Sequence, residues 1–231
     1  VSTDSDAGSL NNPDRGGNAN LRPEKITAFE STLGYNTASG GINITAYQRE
    51  IDDYIEKVIR QEGSRFVERP MNQDNATTYG VEVAARYALK QTENGHSLML
   101  NGQLSTVRAK IEETNHQQRL ASDVAPYTAS AGLSYNYQPW RVSSSVNLNY
   151  VPEFTRALDN QPYDRTSNER VNMDISVTKR FSDGWATTLS ARNILGTDYK
   201  ERLTKQSDGS LYESRVNQAI ASVLLSVEKK F

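Results

Sequence analysis

Polar and apolar residues trade places one by one through segment after segment of this chain. In Tyr127-Thr-Ala-Ser-Ala-Gly-Leu-Ser-Tyr-Asn-Tyr137 the odd positions carry Tyr127, Ala129, Ala131, Leu133, Tyr135 and Tyr137, and the even ones Thr128, Ser130, Gly132, Ser134 and Asn136. Successive side chains of a strand point to opposite faces, so such a segment needs apolar surroundings on one side and water or polar groups on the other. The pattern recurs at Ile26 to Tyr35, in Ile42, Ile44 and Ala46, from Tyr79 to Tyr87, and in Leu98, Leu100 and Leu104. It returns at Val142 to Tyr150, Val171 to Phe181, Trp185 to Ala191, and Ala219 to Phe231.

These segments predict about nine strands, each near the roughly 9–11 residues that cross a bilayer at a tilt. Short turns at Ala38 to Gly41, Thr92 to Gly95, Gln138 to Trp140 and Ser182 to Gly184 alternate with polar excursions over 49–75, 112–126, 152–169 and 203–213. That alternation is the topology of a transmembrane antiparallel up-and-down β-barrel, with tight periplasmic turns and long extracellular loops. Residues 1–25, rich in Ser, Asp, Asn and Gly, read as an extracellular loop segment, and 26–231 as wall. An odd number of strands cannot close as an antiparallel barrel, because open edges are not tolerated in lipid. The expectation is therefore the carboxyl-terminal part of a larger barrel, with further strands and any plug before Val1 or on another chain. A complete small barrel, structural or adhesive, is the alternative.

Composition changes this picture little. Hydrophobic residues make up 36% of the 231, which is lean for a buried core but ordinary for a wall whose every second residue faces a polar lumen. No run approaches the roughly 20 apolar residues of a spanning helix, and no basic start followed by an apolar stretch marks an attached signal peptide. Cysteine is absent, which excludes disulfides and thiolate metal sites, and 26 basic against 28 acidic residues give no bulk reason to expect nucleic acid.

Four motifs carry a resemblance. Asn20-Leu-Arg-Pro-Glu24 precedes the first strand, Thr78-Tyr-Gly-Val-Glu82 opens a descending one, Ala191-Arg-Asn-Ile-Leu-Gly-Thr-Asp-Tyr199 follows a late one, and an alternating apolar strand ends on Phe231. In this order they resemble TonB-dependent outer-membrane receptors. Three positions depart from that family: Leu195-Gly196 replaces a phenylalanine-aspartate pair, and Lys229 stands where an aromatic or apolar residue is usual. The resemblance implies a barrel of about 22 strands around an amino-terminal plug, of which this chain is the last nine. It implies energy-driven import of a ferric siderophore or a similar scarce nutrient, coupled through the absent plug to the inner-membrane protein TonB. It also makes Val223, Leu225, Val227 and Phe231 the barrel-assembly signal.

Candidate chemistry follows from placement. Arg60, Arg65, Arg69, Arg119, Arg156 and Arg165, with Tyr54 and Tyr163, fall on predicted outer loops, where guanidinium and phenol suit an anionic, aromatic iron chelate through charge-assisted hydrogen bonds and cation–π contact. The same residues suit lipopolysaccharide phosphate. Tyr35, Tyr79, Tyr87, Tyr127, Tyr135, Tyr137, Tyr150, Phe181 and Trp185 recur near strand ends on the apolar face, as a girdle at the lipid interface. In a soluble β-sandwich binding module, the second alternative, those rings would instead pack a core. Glu82, Arg86, Asp174, Arg180 and Arg192 are expected to pair within the lumen. His96 reads as rim polarity and His116 as a solvated loop residue, so no metal or cofactor site is expected. No serine, histidine and carboxylate constellation recurs at the outer rim, which argues against an enzyme.

Overall fold

The computed structural model describes residues 7–9, 12–112, 118–120, 124–157 and 162–230, and among these there is no helix. In chain order the strands are β1 (Asp14–Arg15), β2 (Lys25–Thr37), β3 (Gly40–Asp52), β4 (Ile55–Glu62), β5 (Arg65–Asn72), β6 (Asn75–Gln91), β7 (His96–Glu112) and β8 (Gln118–Leu120). They continue as β9 (Tyr127–Tyr137), β10 (Val142–Val151), β11 (Phe154–Ala157), β12 (Tyr163–Ser167), β13 (Arg170–Arg180), β14 (Trp185–Arg192), β15 (Tyr199–Lys205), β16 (Leu211–Asn217) and β17 (Ser222–Lys229). Nine of them form one sheet in the order β2, β3, β6, β7, β9, β10, β13, β14, β17, with β8 added to β7. This path is open, with β2 and β17 as its ends. The nine strands are those that the alternation predicts.

The chain divides into two compact units. One holds Val1–Phe29, Tyr47–Tyr79 and Arg108–Ala121, and the other holds Glu30–Ala46, Gly80–Val107 and Ser122–Phe231. In the second, the antiparallel registers line up residues of one kind. Leu100, Leu133, Val146, Ile175, Ala191 and Val223 stand directly opposite one another across β7, β9, β10, β13, β14 and β17. One step along each strand, Ser134, Ser145, Ser176 and Ser190 form the corresponding row on the other face, and Ser145 and Ser176 share a hydroxyl hydrogen bond of 2.9 Å. Thr178 and Thr188 do the same at 2.9 Å. The apolar rows are not covered: among the described residues 33 large hydrophobics are exposed, whereas the buried apolar residues are Val58, Val67, Ala76, Ile111 and Leu203, none of them in these rows, so the rows are not the inside of a sealed two-layer core. A soluble sandwich would bury the surfaces that this sheet presents.

Short connections close as the sequence predicts. The amide of Gly95 (φ 80°) donates to the carbonyl of Thr92 at 2.9 Å, and Gly184 (φ 86°) occupies the left-handed position of the hairpin in which Phe181 donates to the Trp185 carbonyl at 2.8 Å.

The long connections differ from the sequence reading. The stretch 49–75, taken as a polar excursion, is the end of β3 followed by the β4–β5 hairpin, and Asp14–Arg15, inside the supposed loop segment 1–25, pairs in parallel with Val67 and Glu68 of β5. The stretches 152–169 and 203–213 contribute to a four-stranded antiparallel sheet, β11-β12-β15-β16. The reason is backbone hydrogen bonding. A long polar connection satisfies its amides and carbonyls by pairing with a neighbouring connection, and threonine, valine, isoleucine and tyrosine in these stretches favour the extended chain.

Candidate functional site

In the first unit, three loop candidates share one face of the β4–β5 hairpin, since Arg60 pairs with Val67 and Glu62 with Arg65, in step with Arg69. Arg65 grips Asp14 with two guanidinium nitrogens, and Nη2 reaches Oδ1 at 2.6 Å. Arg69 holds Glu62 through Nε at 2.7 Å and Nη2 at 2.9 Å, while its Nη1 donates to the Gly17 carbonyl at 2.6 Å. These two guanidiniums therefore tie residues 14–17 onto the hairpin. Arg60 lines a hollow of about 410 Å³ beside Gly17, Asn18, Glu62 and Arg69. Tyr54, half-buried, accepts at its carbonyl from the Gln73 amide at 2.7 Å.

The hydrogen bond from Arg65 holds the Asp14 carboxyl below its ordinary range, and that from Arg69 does the same for Glu62. A carboxylate depressed in the folded chain gives stability that is present above its unfolded value and disappears as pH falls through the folded one. Backbone amides of β4 and β5 are thus expected to lose hydrogen-exchange protection on acidification below the usual carboxylate range, while those of β9 and β10 keep theirs. Asp14→Asn together with Glu62→Gln should erase that pH step, and its persistence in the double variant would refute this account.

The second unit gathers the remaining described candidates. On the four-stranded sheet Arg156 lies directly opposite Arg165, which lies opposite Leu203, and Ser167 lies opposite Glu201. Directly paired residues share a face, so Arg156, Tyr163 and Arg165 share theirs with Phe154, Ser167, Tyr199 and Glu201. Arg156 is nearly buried, 3.8 Å from Glu201, and its guanidinium lies 6.0 Å from the Phe154 ring. The Tyr199 hydroxyl donates to Glu201 at 2.6 Å. Burial first, and that hydrogen bond second, raise the Tyr199 hydroxyl above its usual pKa. Arg170, which opens β13 in phase with Asn172 and Asp174, stacks its guanidinium 4.8 Å over the Tyr199 ring. This contact makes the candidate face continuous with the polar face of the wall. The sequence reading missed Ser167, Arg170, Tyr199 and Glu201. Extending the polar phase of β13 one step back would have found Arg170.

Aromatic rings stand at both ends of the wall strands. Tyr127 and Tyr150 approach to 6.1 Å near the long connections, and Tyr135, Tyr137, Phe181 and Trp185 stand near the short turns with Trp140, which the sequence reading did not include. Tyr35 is exposed on β2 and Tyr87 on β6, the latter beside Gly40 at the start of β3, and Tyr79 is exposed in the other unit, near the start of β6. His96 is not simply rim polarity: it stacks on Tyr137 at 4.3 Å with Nδ1 2.7 Å from the Tyr135 hydroxyl. Val223, Leu225 and Val227 project from β17 opposite Ala191, Leu189 and Thr187, and Lys229 places its ammonium 5.0 Å over Trp185. Of the supposed lumen network, Asp174 accepts from the Asn193 amide at 2.8 Å and Arg180 reaches the Ser143 hydroxyl at 3.4 Å. His116, the side chain of Arg119, and Phe231 lie outside the described residues.

Comparison with known proteins agrees with this architecture. Residues 2–194 match the family described as TonB dependent receptor-like, beta-barrel. Among solved structures the chain is similar to the FrpB iron transporter from Neisseria meningitidis (F3-3 variant), with a TM-score of 0.65 and 17% identity over 95% of this chain and 32% of that one. It is also similar to the copper transporter OprC, with a TM-score of 0.69 and 19% identity over 90% of this chain and 32% of that one. At these identities the likeness concerns the fold, and the chain spans about a third of each structure's length. Over 100 residues it is 31% identical to the LPS-assembly protein LptD of Vibrio cholerae serotype O1, covering 42% of this chain and 13% of that protein.

Proposed function

The chain belongs to the TonB-dependent receptor-like β-barrel family, an outer-membrane family of receptors and transporters, and from that premise we propose that it forms wall strands and outer loops of a receptor importing a ferric siderophore or a similar anionic chelate. The observation that carries this reading is the two-sided wall. Apolar rows are left open on one face, where hydrocarbon tails would cover them, and rows of serine, threonine and asparagine line the other, as a hydrated lumen requires. The aromatic rings at both strand ends then sit at the two lipid interfaces, with lipopolysaccharide at the outer one. Residues 1–25 and the outer sheets face the medium, β17 with Val223, Leu225, Val227 and Phe231 carries the assembly signal, and a plug from the remainder of the receptor fills the lumen and engages TonB.

Energy coupling gives the sharpest test. Cells that express the complete receptor, offered radiolabelled ferric catecholate, hydroxamate and citrate chelates one at a time, are expected to accumulate at least one of them. Accumulation should fall to background when a protonophore collapses the proton-motive force or when TonB is deleted. Uptake that survives both treatments would exclude an energy-coupled receptor and leave passive diffusion through the barrel.

A further inference from the structure

On the apolar face of the wall, the last registers before the short turns change character. Val177, Leu189 and Leu225 stand directly opposite one another, all exposed. Two residues nearer the turns the row reads Lys179, Thr187 and Val227, and beyond it Trp185 stands opposite Lys229. Strand side chains alternate, so both lysines share a face with the apolar row. Contacts make this rim one continuous band. His96 stacks on Tyr137 at 4.3 Å, Tyr137 meets Trp140 at 5.8 Å, and the Lys179 ammonium donates to the Trp140 carbonyl while lying 5.8 Å from the Phe181 ring centre. Phe181 donates its amide to the Trp185 carbonyl, and Lys229 lies 5.0 Å over the Trp185 ring. Among the described residues no carboxylate lies within ion-pairing distance of the Lys179 ammonium. Glu228 belongs to the other face, opposite Ala186, and Asp183 sits in the hairpin turn.

A hydrocarbon-facing surface is an expensive place for a cation unless the charge reaches the headgroup layer. Lysine does so by leaving its methylenes among the tails and lifting its ammonium to the interface. Aromatic rings alone would anchor the rim to neutral headgroups, so the added cations ask for an anion. We infer that this band is a docking surface for an anionic glycerophospholipid, such as phosphatidylglycerol, in the periplasmic leaflet. The acyl chains follow Val177, Leu189 and Leu225, and the phosphodiesters meet the lysines. Two strand spacings, roughly 10 Å, and two residues separate Lys179 from Lys229, so each ammonium serves a phosphate of its own. The Trp140 carbonyl takes one of the three Lys179 ammonium hydrogens, which leaves two for phosphate oxygens. The Phe181 and Trp185 rings steady the two ammoniums by cation–π contact and so reduce the entropy lost on binding. This inference rests on the outer-membrane reading, with the short turns toward the periplasm, and adds to it the lipid chemistry that one rim selects.

The test mixes the complete receptor, in detergent, with phosphatidylglycerol or with zwitterionic phosphatidylcholine of the same chain length, and counts bound lipid by mass spectrometry of the intact complexes. The parent should retain phosphatidylglycerol in preference to phosphatidylcholine. That preference should fall about fivefold in Lys179→Gln and in Lys229→Gln, the usual share of one lysine at an anionic surface, and further in the double variant. Lys179→Arg, which keeps the charge, should restore it. Lys205→Gln, on the four-stranded sheet, should match the parent. Heat-dependent gel mobility reports which variants are folded, and should Lys179→Gln fail to fold, Lys229→Gln and the parent's own preference decide. Equal retention of the two lipids by the parent overturns the docking surface, as does a preference unchanged in the folded lysine variants. Lipopolysaccharide that binds the parent and loses as much in Lys179→Gln would overturn the leaflet assignment. A parent that enters vesicles of neither phospholipid overturns the outer-membrane reading itself, whereas entry without preference overturns this inference alone.

Discussion

Arginine in place of Leu133 is expected to destabilise the folded protein in lipid vesicles by about 2–4 kcal/mol. Leu133 is 38% exposed and stands between Leu100 and Val146 in the central apolar row. At so open a position in a water-soluble protein the same substitution would fall within about 0.5 kcal/mol of neutral, because the new charge would be solvated. Only a hydrocarbon surrounding makes it expensive. Urea titration of the complete receptor in vesicles measures the cost, with Ile175→Arg, in the same row, as a second position. A shift below about 0.5 kcal/mol at both would mean that water, not lipid, covers this face.

The second large effect is expected at Gly40, where β3 begins. A Cβ there would come within 2.3 Å of the Arg86 carbonyl oxygen and 3.0 Å of the Tyr87 Cα, and backbone atoms cannot swing aside as a side-chain tip does. Gly40→Val must push β3 from β6 and stretch the bond from the Ala88 amide to the Ser39 carbonyl, now 2.6 Å. The expected loss is about 1–3 kcal/mol, again read as a fall in the urea midpoint. Gly17→Ala is the control, because nothing lies within 4 Å of the added carbon, and it should leave the midpoint unchanged. Equal midpoints for the two variants would show that the β3–β6 contact is looser than these distances imply.

The wall was legible because its strands alternate grease with hydroxyl or amide over most of their length, as in Ser145 to Tyr150, and that contrast survives any choice of neighbours. The outer sheets were not, for two physical reasons. Stretches such as Phe154-Thr-Arg-Ala157 and Tyr163-Asp-Arg-Thr-Ser167 carry polar residues on both faces, so period two leaves little trace in hydropathy. Their partners are also remote: Arg65 finds Asp14 51 residues away, and Thr166 pairs with Arg202 of β15, a match that no local window contains. Among the site residues, the sequence placed the candidate arginines in the long connections between wall strands. It did not indicate that Arg65 and Arg69 are held by carboxylates, or that Arg156 faces Arg165 across a ladder.

The pairing of β12 with β15 joins two connections that the wall keeps apart in sequence, one between β10 and β13 and one between β14 and β17. Anyone grafting specificity from a related protein should therefore move both segments together. A transplant of the first alone would present foreign side chains to the resident β15, leaving amides unmatched along five residue pairs. For the same reason, lengthening either segment during divergence demands a compensating change in the other, so the two should vary as one inherited cassette.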